Sequence, residues 1–325
     1  MSGIRFDGRV VVVTGAGGGL GRAYSLELAR RGAKVLVNDL GGSGSGQGAS
    51  SSMADQVVEE IRAFGGEALA NHESVATRAG GEAIIGAALD AWGKIDVCIN
   101  NAGILRNNRF EDLRDDQIDP IIDVHLKGAF YVSQPAYRAM RKQGYGRFLF
   151  TASASGMFGH AWQANYAAAK SGMVGLSNVV ALEGSAYGIQ SNVILPTSGD
   201  TRLAQEMSDG FLEIPMFAEV LASTQWAPPE RGSINFNTPL AVYLVSEQCK
   251  ATHHIYSSSS GRYARVAIAA AEGWVSAAGP DAPSVEDLAA NFDRISDASN
   301  FTEPMSVYNE ITEATLTGRR KGIYE

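Results

Sequence analysis

Three polar side chains near the middle of the chain have the types and spacing of a proton-transfer site. Tyr166 follows Ser153 by thirteen residues, and Lys170 follows Tyr166 by four. A spacing of four places two side chains on one face of a helix. Because an ammonium group stabilises a nearby phenolate, we expect Lys170 to lower the pKa of Tyr166 and make it a general acid or base. The Ser153 hydroxyl is expected to bond the oxygen of an alcohol or carbonyl substrate.

A tyrosine–lysine pair is common on solvated helix faces, so its meaning depends on the motifs that precede it. Residues 14–21 read Thr-Gly-Ala-Gly-Gly-Gly-Leu-Gly and lie between an apolar run, 10–13, and a predicted helix, 20–31. Glycines in this context let the backbone approach a pyrophosphate, which the amides at the helix start bind. An ordinary glycine-rich turn is the alternative. The predicted cofactor contacts here are Gly15, Gly19, Leu20 and Gly21.

One carboxylate narrows the choice of cofactor. Asp39 ends the second predicted strand, eighteen residues after Gly21, and Leu40 rather than a basic residue follows it. A carboxylate in this place accepts hydrogen bonds from ribose hydroxyls and repels a 2′-phosphate, which favours NAD over NADP. A surface aspartate that merely ends a strand is the alternative. Further cofactor contacts are predicted where the third and fourth strands end, at Glu73, Ser74, Val75, Asn101, Ala102 and Gly103.

The elements that must position these residues alternate between strand and helix. Such alternation predicts an α/β fold, a Rossmann-type doubly wound parallel sheet with helices on both faces. The predicted strands are 10–13, 34–38, 67–70, 95–100, 146–152, 189–195 and 266–270. The predicted helices are 20–31, 53–64, 81–92, 115–143, 165–187, 239–247, 284–295 and 304–316.

We divide the chain into a dinucleotide-binding domain, 1–280, and a C-terminal helical extension, 281–325. Within the first, residues 200–235 are expected to form a lid over the substrate, because 201–226 is apolar and rich in methionine without a strand pattern. A pair of core helices is the alternative for that segment. The start of the extension, from Ser284 to Asp287, has the residues of a helix N-terminus with a capping carboxylate.

Composition excludes several classes of function. The formal net charge of the 325-residue chain is −8, which argues against a nucleic-acid partner. Two cysteines form no disulfide framework, and no metal site is predicted. An apolar signal region and a bilayer-spanning stretch are both missing from the sequence, so we expect a cytoplasmic protein without a membrane partner.

Taken together, the chain resembles the short-chain dehydrogenase/reductases, whose motifs are T-G-x-x-x-G-x-G, N-N-A-G and a serine followed by Y-x-x-x-K. The resemblance implies that Tyr166 is the acid/base, that Lys170 also holds the nicotinamide ribose, and that Ser153 orients the substrate. The resemblance also implies that Pro196 and Thr201 contact the cofactor.

One position departs from the family pattern. An asparagine on the long helix before the serine strand usually keeps a water relay to the lysine, whereas His125 stands there in this chain. Either the imidazole serves the relay or it packs, and both alternatives stay open at this point.

Several segments are similar to one subfamily, the dehydrogenase unit of peroxisomal multifunctional enzyme type 2 and its free-standing bacterial relatives. These segments are 38–42, 100–106, 124–128, 153–156 and 163–166. The resemblance implies NAD-dependent oxidation of a (3R)-3-hydroxyacyl-CoA in β-oxidation. A hydroxysteroid (17β-type) or another free secondary alcohol is the alternative substrate, and an idle NAD-binding scaffold is the alternative of a different class.

The resemblance also implies a homodimer or homotetramer that pairs through the two long helices. Small residues that would allow close packing there are Ala167, Ala168, Gly172 and Gly175. Coenzyme A would need cations, for which the candidates are Arg106, Arg109, Arg202 and Arg262.

Overall fold

The computed structural model describes residues 3–198, 213–214, 219, 229–277 and 282–323. Most of the lid predicted at 200–235, with Arg202 and the predicted cofactor residue Thr201, lies outside the described residues. The chain divides into two compact units, Met1–Arg265 and Val266–Glu325.

In the described part of the first unit, eight strands form one sheet in the order β3-β2-β1-β4-β5-β6-β7-β8. They are β1 (Val10–Thr14), β2 (Lys34–Asn38), β3 (Glu67–Asn71), β4 (Val97–Asn100), β5 (Gly146–Thr151), β6 (Ile189–Pro196), β7 (His254–Ser259) and β8 (Arg262–Val266). The pairs from β3 to β7 are all parallel. The order reverses between β1 and β4, which is where sheets of this kind bind ligands. The predicted fold class is confirmed.

Helices flank the sheet in two groups. They are α1 (Gly19–Arg30), α2 (Ser52–Ala63), α3 (Arg78–Trp92), α4 (Asp115–Ile121), α5 (Gly128–Gln143), α6 (Ala154–Phe158), α7 (Ala164–Gly184) and α8 (Thr238–Leu244). Short 3-10 turns cover Phe110–Asp112, Ser185–Tyr187, Pro229–Gly232 and Ile234–Phe236. Helices α1, α2 and α8 pack together, and α3, α5 and α7 form the second group. Two such groups cover the two faces of a parallel sheet.

The central strands are held by burial on both faces. All residues of β1 are buried, and its four valines are fully enclosed. The adjacent β2 and β4 are nearly as apolar, because β-branched side chains suit a strand that packs helices on each side. Both cysteines are buried and unpaired. This rigid centre fixes the ends of β1, β4 and β5, where the candidate site residues lie.

The long helix predicted at 115–143 contains a change of winding. A π-helical turn, Ile122–Lys127, joins α4 to α5 and includes His125. Single π turns inside α-helices occur often at functional sites. The wider turn displaces residues from the strict 3.6-residue period, which is why periodicity alone did not predict it.

The predicted last strand at 266–270 is wrong. The sheet ends instead with the hairpin of β7 and β8, whose connection is Ser260 and Gly261, both with positive φ. A two-residue turn of this kind makes adjacent strands antiparallel. Only two of the six residues of β7 are buried. Its sequence, His-Ile-Tyr-Ser-Ser-Ser, therefore has no apolar run that would predict a strand.

The second unit contains a two-stranded antiparallel ladder and three helices in its described residues. The ladder pairs β9 (Ala270–Ala271) with β10 (Phe301–Thr302). The helices are α9 (Val285–Ala290), α10 (Phe292–Ile295) and α11 (Val307–Arg320). Ser284 and Asp287 form the expected capping box at α9. This unit starts before the extension predicted from 281, because β9 pairs with a strand inside that extension.

No helix among the described residues combines the length and the apolar character needed to cross a bilayer.

Candidate active site

The glycine-rich turn after β1 is bonded directly to the segment that follows β4. The Thr14 hydroxyl oxygen accepts hydrogen bonds from the backbone N–H groups of Asn101 and Ala102, at 3.0 and 3.1 Å. The Asn101 side-chain amide donates to the carbonyls of Thr14 and Gly15, both at 3.1 Å. Two of the predicted cofactor segments are therefore one connected surface at the carboxyl edge of the sheet.

Space around this turn permits only glycine at two of the predicted positions. Gly15 has a φ of +63°, and a Cβ there would lie 2.6 Å from the Ala102 Cα. A Cβ on Gly21 would lie 2.2 Å from the Gly15 carbonyl oxygen. Helix α1 begins after Gly18 without a side-chain cap and without an acidic residue in its first turn. Its first amides are thus suited to an anionic group such as a pyrophosphate.

Asp39 is locked in place at the end of β2. One carboxylate oxygen accepts from the Gly17 N–H at 2.8 Å, and the other accepts from the Gly41 N–H at 2.7 Å. These bonds aim the carboxylate at the glycine-rich turn rather than at solvent. A carboxylate in this position suits the adenosine half of a dinucleotide, because the ribose hydroxyls can donate hydrogen bonds to it.

The predicted contacts after β3 are fixed through their backbone. The Asn38 side-chain amide donates to the Glu73 carbonyl at 2.9 Å, which ties this segment to the end of β2. Val75 is buried and packs against Gly128. A Cβ added to Gly128 would lie only 3.0 Å from the Val75 Cγ2. With Thr14, Ala102 and other residues, Val75 lines a small pocket beside the turn.

The three residues of the predicted proton-transfer site come together at the end of β5 and the start of α7. Ser153 caps α6, where its side chain accepts from the Ser155 N–H. Tyr166 and Lys170 lie on α7, and the Lys170 Nζ is 5.5 Å from the centre of the Tyr166 ring. Burial raises the pKa of Tyr166 to about 12, and a hydrogen bond with Ser153 acts in the opposite direction.

The expectation that Lys170 lowers the pKa of Tyr166 is not met, because burial is the largest influence on that pKa and raises it. Lys170 is buried, and its Nζ donates to the Thr151 carbonyl at 2.5 Å. Burial lowers the pKa of Lys170 itself to about 7. The low-polarity surroundings disfavour the charged form of both groups, and at Tyr166 this effect outweighs the hydrogen bond with Ser153.

His125 is buried between this cluster and the segment after β4. Its Nε2 lies 2.7 Å from the Ile104 carbonyl oxygen and 3.1 Å from the Ile104 nitrogen. Its ring meets the Tyr166 ring edge-on, with centroids 5.2 Å apart. Burial, then the nearby Lys170 charge, holds the pKa of His125 well below its usual range, so the ring is neutral.

These contacts bear on the two roles left open for His125. A Cβ on Gly103 would lie 2.4 Å from the imidazole Cε1, so the glycine of the N-N-A-G motif leaves room for this ring. Nδ1 has no hydrogen-bond partner among the described residues, and the ring borders the small pocket lined by Val75. The Ile104 backbone occupies Nε2, whereas the unpartnered Nδ1 is the nitrogen that a relay would use, so both roles stay open.

Sequence reasoning missed Asn165 as a residue of the site. Its side-chain amide donates to the carbonyls of Arg106 and Gln117, at 2.9 and 2.7 Å, while its oxygen accepts from the Tyr166 N–H. It fixes the start of α7 to the segment after β4. Its place directly before Tyr166 was the available signal, but asparagine there has no chemistry of its own.

The glycine- and serine-rich composition of residues 41–48 is typical of a flexible loop without core contacts, whereas the structure bonds this loop to the segment after β4. The Leu105 N–H donates to the Gly44 carbonyl at 2.9 Å, and the Arg106 side chain donates to the Ser45 carbonyl at 2.9 Å. Composition predicted flexibility, whereas these bonds dock the loop beside the site.

The remaining predicted residues differ in where they lie. Pro196 ends β6 at the carboxyl edge, two residues past Ile194, which pairs with Thr151 of β5. The Arg106 guanidinium donates hydrogen bonds to the Ser45 and Asp116 carbonyls, so it is not available as a cation for coenzyme A. Arg262 is exposed at the start of β8.

The fold and this site define a nicotinamide-type oxidoreductase scaffold, and comparison with known proteins identifies the family. The model of the short chain dehydrogenase family matches residues 9–210. The chain belongs to the short-chain dehydrogenase/reductases, oxidoreductases that typically bind NAD or NADP.

Two relatives and two solved structures place the chain within that family. It is 44% identical over 291 residues to a short-chain type dehydrogenase/reductase of Mycobacterium tuberculosis, covering 90% of this chain and 95% of that one. It is 41% identical over 304 residues to peroxisomal multifunctional enzyme type 2 of Mus musculus, covering 94% of this chain and 39% of the mouse protein.

The structure of the full-length Drosophila melanogaster peroxisomal multifunctional enzyme type 2 matches with a TM-score of 0.75 and 33% identity, over 98% of this chain and 50% of that one. A short chain dehydrogenase from Mycobacterium avium matches with a TM-score of 0.70 and 34% identity, over 91% and 98%. This chain thus spans 39% of the mouse multifunctional enzyme and 50% of the Drosophila one.

Proposed function

We propose that this protein oxidises a (3R)-3-hydroxyacyl-CoA to the 3-ketoacyl-CoA with NAD. The observation that carries the proposal is the assembly of Ser153, Tyr166 and Lys170 at the carboxyl edge of the sheet, beside the glycine-rich turn. The likeness to peroxisomal multifunctional enzyme type 2 over 94% of this chain supports the thioester substrate. The cytoplasmic location expected from the sequence stays a prediction.

The residues of the site divide the chemistry between them. Ser153 and Tyr166 hydrogen-bond the substrate hydroxyl, and the Tyr166 oxygen takes its proton as the carbinol carbon is oxidised. Gly15, Gly21 and the start of α1 would hold the pyrophosphate, and Asp39 the adenosine ribose. When bound, oxidised nicotinamide supplies the hydride acceptor and a positive charge. A positive charge in the site favours the phenolate form of Tyr166, whose pKa is otherwise raised by burial.

The preference for NAD rests on Asp39. Its carboxylate is held by the Gly17 and Gly41 amides, where a 2′-phosphate would meet its negative charge. Asp39→Asn is expected to raise the KM for NAD about tenfold, because NAD loses a charge-assisted hydrogen bond from its ribose. The same change should improve the use of NADP, because it removes the negative charge that repels the 2′-phosphate. Asp55→Asn is the matched control, because Asp55 lies on the neighbouring α2 and pairs with the exposed His72 after β3. Equal cofactor constants in wild type and Asp39→Asn would contradict the assignment.

The substrate class is tested by NADH formation at mildly alkaline pH. A (3R)-3-hydroxyacyl-CoA, a free hydroxysteroid and a simple secondary alcohol are compared with NAD and with NADP. We expect turnover with the thioester and NAD. Turnover only with the free steroid would move the proposal to the alternative substrate, and NAD binding without any turnover would support an idle scaffold.

We also propose that the protein forms a homo-oligomer through α5 and α7. Exposed apolar side chains lie on both helices, among them Phe130, Val179 and Leu182. Gly175 faces open space, as close packing between copies requires, but Gly172 instead makes room for Leu126 of its own chain. A monomer in light scattering at micromolar concentration would refute this proposal.

A further inference from the structure

Two segments beside the site form a rim that joins a cation to exposed aromatic rings. The first follows β4 and includes Arg109 and Phe110, and the second precedes α7 and includes Phe158 and Trp162. Phe110 and Phe158 are 83% and 71% exposed, which is unusual for such large apolar side chains. We call these four residues the rim.

Backbone contacts hold the two segments of the rim together. The Asn108 N–H donates to the Trp162 carbonyl at 3.0 Å, and the Asn108 side chain reaches the Asp112 carbonyl at 2.9 Å. Asn165 adds its bond to the Arg106 carbonyl, one residue before Tyr166. The rim is therefore anchored to the residues that flank the proposed acid/base.

Trp162 adopts a backbone conformation that a bulky residue rarely takes. Its φ is +68°, in the left-handed region that glycine favours. Such conformations persist where the surrounding structure requires them, and they concentrate at functional sites. Here the strained backbone offers the Trp162 carbonyl to Asn108 and the indole ring to Arg109.

Arg109 is oriented but not buried. Its guanidinium carbon lies 5.5 Å from the centre of the Trp162 ring, and its Nη2 lies 3.3 Å from the Glu213 carboxylate. The side chains of the ion pair are 54% and 64% exposed. An exposed ion pair of this kind contributes little stability, so an incoming anion displaces the carboxylate readily. A planar guanidinium stacked on an indole binds phosphate oxygens well.

We propose that Arg109, held over the Trp162 ring, binds a phosphate group of the coenzyme A part of the substrate, and that Glu213 pairs with this cation when no thioester is bound. The inference rests on the proposed function, because it names the recognition of the carrier for that same site. With carbon 3 of the substrate at Tyr166, the thioester and the pantetheine arm of the carrier would extend from carbon 1 toward the rim, with the phosphate groups at Arg109. The rim thereby selects an acyl thioester of coenzyme A over a free alcohol.

The test compares two thioesters of the same 3-hydroxyacyl group, one of coenzyme A and one of N-acetylcysteamine, which has no phosphate. Arg109→Gln is expected to raise the KM for the coenzyme A thioester about tenfold. It is expected to change the KM for the N-acetylcysteamine thioester less than twofold. Arg109→Lys keeps the charge but not the flat stacked group and should fall between. Equal effects on both thioesters, or no effect on either, would overturn the proposal.

Two further variants sharpen the result. Arg114→Gln is the matched control, since Arg114 is an exposed arginine of the same segment that pairs with Asp116. It should leave both KM values unchanged. Glu213→Gln should lower the KM for the coenzyme A thioester two- to threefold, because it removes the competing carboxylate. A raised KM in Glu213→Gln would overturn the competition between carboxylate and phosphate.

Failure of the proposed function is recognised separately. If the wild-type protein turns over neither thioester, calorimetric titration with free coenzyme A decides the inference without turnover. Binding at least tenfold weaker in Arg109→Gln than in wild type would sustain the phosphate site. Equal affinity, or no binding by either protein, would overturn it.

Discussion

The amino ends and the carboxyl ends of the parallel strands, here called the amino edge and the carboxyl edge of the sheet, differ in how their buried charged groups are paired. At the amino edge, the buried carboxylate of Asp96 accepts from the Val10 N–H at 2.8 Å. It also pairs with Arg9 and Lys94, at 2.7 and 3.0 Å. The Tyr145 ring lies between Arg9 and the buried Arg147, 4.2 and 4.3 Å from their guanidinium carbons. The carboxylate at this edge is fully partnered.

The carboxyl edge leaves its buried polar groups short of partners. Lys170 has the Thr151 carbonyl and, at 3.9 Å, the Met173 sulfur, but no carboxylate within ion-pair distance among the described residues. The Thr151 hydroxyl and the His125 Nδ1 lack hydrogen-bond partners in the same part of the structure. A buried polar group without a partner costs stability, and a protein keeps such groups mainly where they take part in binding or chemistry. The Arg147 Nε at the amino edge also lacks a partner among the described residues, so the difference lies in the charges. The buried Asp96 carboxylate is paired twice, whereas the buried Lys170 pairs with no carboxylate in the described part of the chain.

The largest expected effect is loss of turnover in Tyr166→Phe. The change removes one hydroxyl and no packing, so kcat should fall about 10³- to 10⁴-fold because the acid/base is gone. The melting temperature should stay within about 2 °C of wild type, as expected when a half-buried hydroxyl leaves. NADH formation and calorimetry measure the two quantities. Retained turnover would place the proton transfer on another group.

Lys170→Met is expected to separate activity from stability at the same edge. Burial lowers the pKa of Lys170 to about 7, so its charged form is disfavoured in the fold. The apolar replacement should cut kcat by about 10²- to 10³-fold. It should raise the free energy of unfolding at pH 7 by about 1 to 3 kcal/mol. A loss of stability in urea unfolding would show that the buried ammonium is net favourable.

The pH dependence of wild-type stability follows from the same group. Between pH 7 and 10.5 the unfolded chain binds more protons at Lys170 than the folded chain does. The free energy of unfolding therefore rises with pH in that window. Below pH 7, the destabilisation that results from burying the charged Lys170 is present in full. Lys170→Met should lose this slope. Burial also raises the pKa values of Cys98 and Cys249, which act in the opposite direction at alkaline pH. Both cysteines are the same in the two proteins, so the difference in slope between wild type and Lys170→Met from pH 6 to 9.5 isolates Lys170.

Asp96→Asn tests the amino edge and should act on stability alone. The change leaves Arg9 and Lys94 without their buried carboxylate, which should cost about 2 to 4 kcal/mol of unfolding free energy. At 25 °C, kcat should stay within about twofold of wild type if this edge has no part in catalysis. Asp116→Asn is the control, because Asp116 pairs with Arg114 in the open and should cost less than about 0.5 kcal/mol. A large drop in kcat for Asp96→Asn would break the division between the edges.

His125→Asn should have the smallest effect. If the ring packs against Tyr166 and bonds Ile104, the family asparagine should lower kcat less than about tenfold. The pH profile of kcat should keep its shape, because the neutral ring does not titrate in the working range. A shifted profile would assign His125 to the proton relay. His125→Phe, which keeps a ring but no nitrogen, should retain the profile as well.

The sequence predicted the fold and the central residues because both depend on local patterns. The strand at 34–38 has the predicted bounds, and the turn at 14–21, Asp39 and the Y-x-x-x-K pair lie at the carboxyl edge as expected. The strand His254–Ser259 and the π turn at His125 were missed, since neither follows an apolar period. The direction of the pKa shift of Tyr166 depends on burial, which spacing does not reveal.

The central claim is that this edge transfers hydrogen from an alcohol carbon to a nicotinamide. We would incubate wild-type protein with NAD and a (3R)-3-hydroxyacyl-CoA that carries deuterium on carbon 3, and analyse the cofactor by mass spectrometry. The account predicts that reduced cofactor forms and carries one deuterium atom, and that Tyr166→Phe forms almost none. Reduced cofactor without deuterium, or no reduction of NAD at all, would contradict it.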